Sequence, residues 1–356
     1  MASASLPAHW MSAALDPPRA GGDPPVTGRL RVQPEDFVVD EDLGFSPDGE
    51  GPHWLMRVRK RGANTEFVAR ELARHARLPA HEVGFAGLKD RNAVTSQWFT
   101  VPCGKTVAEQ WTELRHEEFQ VLEAHAHRRK LKRGALAGNR FQLRISDLHG
   151  DVEALRARIA AVGARGVPNF FGAQRFGREG NNLHVAAAWA ESGAAPRSRS
   201  ELGFALSAAR SLIFNVVLSA RVRRADWDAL LPGDVANLDG SGSVFAVGEV
   251  DAVLERRLRE GDVHPTGPMW GSGSSMAGAA VLDLESAAAR ECMPLPGLLE
   301  RAGTSAERRS LRVRVQDLRA ELDGDVLVLA FGLPAGAFAT TVLREILRSP
   351  HHDRDL

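Results

Sequence analysis

The sequence of 356 residues contains no tyrosine and only two cysteines, Cys103 and Cys292. Without tyrosine, no phenolic hydroxyl can serve as an acid, base or nucleophile. The two cysteines lie far apart and lack the paired spacing of a zinc site, and such usage is typical of a protein without a disulfide framework in a reducing compartment. We therefore expect a cytoplasmic protein whose chemistry rests on other side chains.

An excess of charge of either sign is also absent, because 45 lysines and arginines balance 45 aspartates and glutamates. Any nucleic-acid binding must then come from local clusters of positive charge. The N-terminal stretch has neither a basic start nor a sustained apolar run, so we do not expect a signal peptide. No stretch approaches the roughly 18 apolar residues of a membrane span, and we expect no membrane partner.

Strand and helix signals along the chain predict an α+β fold with an insertion. Residues 1–27 are rich in proline and glycine and predict a loose N-terminal leader. Residues 28–164 show mainly strand patterns. From 165 to 310 glycine is frequent and helices dominate, and strand patterns return over 311–356. We interpret 28–164 and 311–356 as two parts of one domain and 165–310 as an α/β domain inserted between them.

The individual elements follow from periodicity and from end signals. Asn64 is a good helix N-cap, apolar residues at helical spacing follow it, and Pro79 ends the helix. Asp323-Gly324 is a hairpin signal. The predicted strands include 53–59, 94–101, 119–126, 139–146 and 326–329, and the predicted helices include 64–78, 151–162, 206–223 and 340–347.

The densest cluster of positive charge lies between 127 and 144, with no acidic residue inside it. Such a block binds phosphates by Coulomb attraction and counterion release; a solvated loop between two strands is the open alternative. His125 and His127 precede it, but no third ligand stands at a recognisable spacing, so we expect no metal. The basic residues are Arg128, Arg129, Lys130, Lys132, Arg133, Arg140 and Arg144.

A second basic group, Arg57, Arg59, Lys60 and Arg61, stands at the end of a predicted strand. If the two strands are neighbours in the sheet, the two groups would form one basic rim. Such a rim would make RNA binding depend on salt concentration.

Asp90 lies in the segment FAGLKDRNAVTSQ at 85–97. A lysine beside an aspartate can keep the carboxylate ionised and ready as a nucleophile or base. Adjacent residues of an extended chain point apart, however, so Lys89 need not pair with Asp90. The same residue types form ordinary turns, and the local sequence alone favours that interpretation.

Three phenylalanines have the same ambiguity. Phe141 alternates with Leu143 and Ile145, which indicates a core position, although an aromatic residue beside a basic segment can also stack on an extruded base. Phe37 and Phe338 are likewise core residues on the local pattern. Sequence alone favours the core interpretation for all three.

Six segments in a fixed order, spread over residues 28–347, resemble the TruD family of tRNA pseudouridine synthases. Together they are far more specific than any one of them. They are PEDFVVDEDLGF at 34–45, GFAGLKDRNAVTSQW at 84–98, RRKLKRGALAGNRF at 128–141, GVPNFFGAQRFGREGNN at 166–182, LSAARSLIFN at 206–215 and LPAGAFATTVLREIL at 333–347.

The resemblance implies a fold and an activity. Both ends of the chain would form a pseudouridine-synthase catalytic domain around a central mixed or antiparallel sheet, and a TruD-specific domain would be inserted in the middle. The family isomerises uridine 13 of tRNA without cofactor or metal. We therefore expect tRNA as the partner, no obligate protein partner, and a monomer.

The resemblance also assigns roles to residues of this chain. The aspartate and lysine of the AGxKD motif fall on Asp90 and Lys89, which makes Asp90 the expected catalytic carboxylate. The GNxF motif falls on Asn139 and Phe141, and the phenylalanines of the PEDFVV and GxFAT motifs fall on Phe37 and Phe338. We expect these residues to surround the target uridine. The basic residues expected to bind the RNA are Arg128, Arg129, Lys130, Lys132 and Arg133.

Two other functions stay open on the sequence. A non-catalytic RNA-binding protein on the same fold would share the basic cluster but would not need Asp90. A glycoside hydrolase or nucleosidase would need a second positioned carboxylate, which folding would have to supply from Glu35, Asp36 or Glu41.

Overall fold

The structure is a computed structural model that describes residues 6–104 and 108–348. Its helices are α1 Ala8–Leu15, α2 Thr65–Ala76, α3 Ala108–Thr112, α4 Val152–Arg165, α5 Asn181–Ser192, α6 Arg199–Arg223, α7 Ala252–Glu260, α8 Ala279–Glu291, α9 Leu295–Arg301 and α10 Ala339–Ile346. Its strands are β1 Val26–Leu30, β2 Phe37–Asp42, β3 His53–Arg61, β4 Gly84–Phe85, β5 Val94–Pro102, β6 Phe119–His127, β7 Gly138–Gly150, β8 Val167–Pro168, β9 Val235–Leu238, β10 Val244–Ala246, β11 Val263–Met269, β12 Glu307–Ser310, β13 Arg312–Val313, β14 Gln316–Asp323, β15 Val326–Pro334 and β16 Leu347–Arg348.

The main sheet has ten strands in the order β14-β15-β7-β2-β5-β3-β6, with β1, β16 and β4 attached at its sides. The pairs β2–β5 and β1–β16 are parallel, and the other pairs are antiparallel. The C-terminal strand β15 pairs along the whole of its length with β7, so both ends of the chain build one mixed sheet. The α+β prediction is confirmed.

The alternation predicted for 139–146 is present in β7. Leu143 and Ile145 are fully buried, whereas Gln142 and Arg144 are exposed. The buried face of β7, β2 and β15 packs against α4 and α10, and the neighbouring part of the same sheet is covered by α2. The polar face of β7 faces solvent, as its sequence pattern predicts.

The insertion is built around α6, whose side chains form the largest buried cluster together with α5, α8 and α9. It also has a sheet in the order β10-β9-β11-β12. These strands were not predicted from the sequence; β11 contains Pro265 and Pro268, and proline rarely occupies a strand interior. The short strand β8, where the chain leaves the main sheet, pairs antiparallel with β13, where the chain returns to it. The predicted boundaries at 164/165 and 310/311 stay predictions.

The prediction of a loose leader over 1–27 is wrong for the described residues from 6 onward. Residues 8–15 form α1, and Trp10 is only 2% exposed in the cluster around α6. The indole nitrogen of Trp10 donates to the carbonyl of Glu291 at 2.9 Å. Further along, the backbone nitrogen of Ala20 donates to the buried carboxylate of Glu345 at 2.9 Å. Composition misled the prediction, because a single large indole is enough to anchor a short proline-flanked helix.

Within the described residues, one helix, α6, is long and apolar enough to cross a membrane. The expectation that no stretch comes near this limit is therefore wrong on composition. The most apolar part of α6 is 67% buried inside the protein. Its apolar side chains pack against the surrounding helices, so α6 is accounted for as a core helix.

Candidate active site around Asp90

Asp90 lies on the loop between β4 and β5, and buried polar groups fix the loop. The side-chain amide of Gln97 donates to the carbonyl of Gly87 at 2.5 Å. The hydroxyl of Thr65 donates to the carbonyl oxygen of the Gln97 amide at 2.9 Å and accepts from the backbone nitrogen of Lys89 at 3.0 Å. Thr65 and Gln97 are buried in the centre of the fold. The backbone that carries Asp90 is therefore held by a satisfied network rather than by solvent.

The carboxylate of Asp90 is paired with Arg31. A guanidinium nitrogen of Arg31 lies 3.0 Å from Oδ2 of Asp90, and the guanidinium carbon lies 3.9 Å from the centre of the Phe37 ring. The side chain of Arg31 is 9% exposed, whereas that of Asp90 is 50% exposed. Arg31 is thus a fixed cation behind an accessible carboxylate. Arg31 was not predicted as a site residue, because in the sequence it occupies a polar position next to an apolar one, as in an ordinary strand.

Lys89 points away from Asp90. Its ammonium lies 2.5 Å from Oε2 of Glu41, and Oε1 of Glu41 accepts from the backbone nitrogen of Trp98 at 3.1 Å. The side chains of Lys89 and Glu41 are 8% and 0% exposed. The expectation that Lys89 need not pair with its neighbour is confirmed. The predicted substrate contact of Lys89 has little geometric support, because its ammonium is committed to Glu41 and supports the loop instead.

A second buried lysine holds the loop from below. The ammonium of Lys60, on β3, donates to the carbonyl of Asp90 at 2.8 Å and to the carbonyl of Ala63 at 2.7 Å. The pKa of Lys60 is lowered to about 8, mainly by burial; the negative charge of Asp90 opposes this shift, and the positive charge of Lys89 adds to it. The sequence had placed Lys60 in a basic surface group; the alternation of β3 turns it inward instead.

The pKa of Lys60 gives stability a pH dependence of predictable sign. Because the folded-state pKa, about 8, lies below the ordinary value of 10.5, the unfolded chain holds one more proton between these two pH values. We expect the unfolding free energy of the wild type, measured against that of a Lys60→Met variant, to rise by up to about 3 kcal/mol between pH 8 and 10.5. Urea titrations at several pH values measure this difference. A constant or falling difference contradicts the assignment.

Two of the three aromatic residues expected at the site, Phe37 and Phe141, form one group on the same sheet face. Phe37 is 2% exposed and meets Phe141 edge to face, with ring centres 6.2 Å apart. Phe141 is half-buried and stacks on Phe331 at 5.4 Å. Phe338, the residue before α10, is 50% exposed. Phe37 is therefore a core residue that supports Arg31, and Phe338 is the ring most open to a ligand.

Asn139 lies beside the buried ion pair, opposite Glu41 in the register of β7 and β2. Its side-chain oxygen is buried and has no hydrogen-bond partner in the described residues. An unsatisfied buried acceptor costs free energy and calls for an explanation. A ligand with an N–H or O–H donor would satisfy it.

The basic segment 128–133 packs directly against the start of the Asp90 loop. The backbone nitrogen of Gly134 donates to the carbonyl of Ala86 at 2.7 Å, and the ammonium of Lys130 donates to the carbonyl of His81 at 2.6 Å. Arg133 lies 4.2 Å above the ring of Phe85. Arg129 and Lys132 are exposed, and Arg128 is paired with Glu50. The segment thus borders the site with several accessible cations.

The strand that carries the second basic group, β3, is a neighbour of β6, which leads into the first group, but the basic residues do not all lie on one face of the sheet. Arg57 and Arg61 are paired with carboxylates on the sheet face opposite to that of the buried Lys60. Arg140 and Arg144 likewise alternate with Asn139 and Phe141 and lie on the outer face of β7. Strand alternation divides each basic run between two faces.

No other carboxylate named as a possible partner of Asp90 is free for catalysis. Glu41 is buried with both oxygens bonded. An oxygen of Asp36 accepts from the backbone nitrogen of Gln33 at 3.0 Å, and Glu35 is paired with Arg61. In the described parts of the chain, no three His, Cys, Asp or Glu side chains are grouped as a metal site would need.

The chain is similar to known proteins over most of its length. The family model described as tRNA pseudouridine synthase D (TruD) matches residues 20–192 and 202–346. The proteins named tRNA pseudouridine synthase D from Methylococcus capsulatus and Nitrosococcus oceani are 44% and 46% identical over 333 residues, which cover 93% and 92% of this chain and 94% and 93% of theirs.

A solved structure supports the fold alone. The crystal structure described as a putative tRNA pseudouridine synthase D from Methanosarcina mazei superposes with a TM-score of 0.75 at 21% identity. The match covers 96% of this chain and 98% of that one. The fold predicted from the six segments is therefore confirmed at the level of architecture.

Proposed function

Because this chain belongs to the TruD family of tRNA pseudouridine synthases, we propose that it isomerises uridine 13 of tRNA to pseudouridine through the carboxylate of Asp90. The observation that carries the proposal is the placement of Asp90. Its carboxylate is half exposed, a buried arginine holds one of its oxygens, and a buried lysine holds its backbone carbonyl. A group fixed in this way can meet a ribose or uracil without reorganisation.

The reaction requires three changes at one nucleotide. The bond from C1′ to N1 breaks, the uracil turns, and a bond forms from C1′ to C5; C5 then loses its proton and N1 takes one up, so the product is an isomer of uridine. One carboxylate suffices, acting either as a nucleophile or as a base at the ribose. Arg31 lies on the protected side of Asp90 and stabilises its negative charge, so the exposed side is left for the nucleotide.

The target base must leave its stack before Asp90 can reach it, at a cost of about a few kcal/mol. Stacking on an aromatic ring returns about 1–3 kcal/mol per base. Phe338 is the most exposed candidate, and the edge of Phe141 lies on the same sheet as Asn139. The unsatisfied oxygen of Asn139 is an acceptor suited to the N3–H of uracil.

The arrangement disfavours the two other functions. A hydrolase needs a second carboxylate that activates water, and Glu35, Asp36 and Glu41 are all engaged elsewhere. A purely RNA-binding protein has no use for an exposed carboxylate that is paired with a buried arginine and carried on a backbone held by a buried lysine.

The test is a reaction with a tRNA transcript that carries uridine at position 13 and a matched transcript with cytidine there. We expect pseudouridine at position 13 of the first transcript only, as read by chemical labelling that is specific for pseudouridine. Release of free uracil would indicate a glycosidase instead. Binding of the transcript without product would indicate a non-catalytic protein.

A further inference from the structure

A second cluster of positive charge lies on the turn between β8 and α5, and the Asp90 site does not use it. The guanidinium carbons of Arg175 and Arg309 lie 5.1 and 4.2 Å from the centre of the Phe171 ring. Arg175 comes from that turn and Arg309 from β12. The fold therefore brings two cations from distant parts of the sequence to one ring.

Neutral groups bind both arginines. Arg309 donates to the side-chain oxygen of Asn169 at 2.6 Å, and Arg175 donates to the hydroxyl of Ser207 at 2.9 Å. Within residues 6–104 and 108–348, neither guanidinium forms an ion pair with a carboxylate. The positive charge of the pair is therefore not neutralised inside the described protein.

Two nearby arginines, in contrast, do form ion pairs with carboxylates. Arg308, one residue before Arg309 on β12, is paired with Glu285 at 2.7 Å. Arg210, one turn after Ser207 on α6, is paired with Glu307 at 3.1 Å. The missing carboxylate is thus specific to the two arginines at the Phe171 ring, and is not general in this part of the fold.

The cluster is electrostatically unfavourable as it stands. Burial, and to a smaller extent the positive charge of Arg175, lowers the pKa of Arg309 to about 10. Burial also lowers the pKa of Arg175. Two partly desolvated cations without a counter-charge are stabilised when an anion joins them.

The cluster is open to solvent on one side and tied to a short strand pair on the other. Arg175 is exposed, and a Cβ atom added at Gly172 would meet no atom within 4 Å, so the backbone beside Arg175 and Phe171 leaves room for a ligand. On the other side, the backbone nitrogen of Asn169 donates to the carbonyl of Leu311 at 2.8 Å, where β8 pairs with β13. Both the opening and the support are therefore built into the fold.

We propose that Arg175 and Arg309, which lie against the ring of Phe171, bind a phosphodiester of the tRNA backbone. They would form a second tRNA contact, apart from the Asp90 site. The inference rests on the proposed function, since it takes tRNA as the ligand. The planar, forked guanidinium matches the oxygens of a phosphodiester and keeps its charge at all relevant pH values. Contacts of this kind set the position of a nucleic acid without reading its sequence.

Binding of the tRNA transcript at several salt concentrations, followed by fluorescence anisotropy, tests the site. We expect Arg175→Gln to raise the Kd about tenfold near 0.1 M salt and to reduce the slope of log K against log salt by about one. Arg175→Lys keeps the charge and should keep the slope, with an intermediate Kd. Arg256→Gln, which removes an exposed arginine of α7, is the matched control and should leave the Kd and slope unchanged.

A wild-type Kd and a wild-type salt slope in Arg175→Gln would contradict the proposed second tRNA contact. Pseudouridine formation by the wild type is measured on the same transcript, so the two proposals can fail separately. If the wild type forms pseudouridine and Arg175→Gln does not change tRNA binding, only the proposed second tRNA contact is excluded. Absence of product removes the proposed function, while a reduced slope would still show a phosphate contact.

Discussion

Replacing Asp90 by asparagine is expected to abolish pseudouridine formation while tRNA binding is retained. Asparagine has nearly the same shape, and its side-chain oxygen can still accept from Arg31, but it has no charge with which to attack or deprotonate the ribose. We expect turnover to fall by about 10⁴-fold or more, as when a catalytic carboxylate or nucleophile is removed from other enzymes. Single-turnover assays with excess enzyme measure the chemical step without the complication of product release.

Because Asp90 is half exposed, the variant should fold normally and bind tRNA within a factor of about two of the wild type. Asp147→Asn is a matched control. Asp147 is 49% exposed, and its carboxylate is paired with Arg29 at 3.2 Å. It is therefore an exposed, arginine-paired aspartate like Asp90, but it lies away from the Asp90 loop. Wild-type turnover in Asp90→Asn would exclude Asp90 as the catalytic group.

Much of the main sheet was predictable because its strands show clear local patterns, either alternation or a continuous apolar run. β7 repeats apolar and polar residues over most of its length, and one face of it is buried, so its register is well specified. The helix α2 has an N-cap candidate, an amphipathic run and a proline after its end. The leader was mispredicted for the opposite reason, because Trp10, Ala13 and Ala14 are buried by residues distant in the sequence, and local composition does not show what covers them.

Some residues of the site were likewise predicted from the sequence, and others were not. Asp90, Asn139 and Phe141 were identified only through motifs, since the local sequence around Asp90 favours a turn. Arg31 and Lys60 were not identified as site residues at all. Each lies about 30 or more positions from Asp90 in the sequence, and only strand pairing brings them to its loop. Contacts of this kind depend on sheet order, which a single sequence does not give.

The loop also depends on a buried ion pair, and its loss is expected to cost more stability than any surface change at the site. Replacing Glu41 by glutamine leaves the ammonium of Lys89 buried without a counter-charge, since the two side chains are 0% and 8% exposed. We expect the unfolding free energy to fall by about 3–5 kcal/mol. This is a large share of the roughly 5–15 kcal/mol that stabilise a typical protein. Equilibrium urea unfolding monitored by tryptophan fluorescence gives the value.

The double variant Glu41→Met, Lys89→Met separates the charge from the packing. It removes both charges and keeps similar volumes, so it should recover most of the stability lost in Glu41→Gln. Glu35→Gln, which breaks the exposed pair with Arg61, should change stability little. If the double variant is as unstable as the single one, the loss comes from the hydrogen bond to Trp98 and from packing, and Lys89 does not require Glu41 as its counter-charge. If the double variant is stable but forms pseudouridine slowly, the ion pair serves to position the Asp90 loop rather than to stabilise the fold.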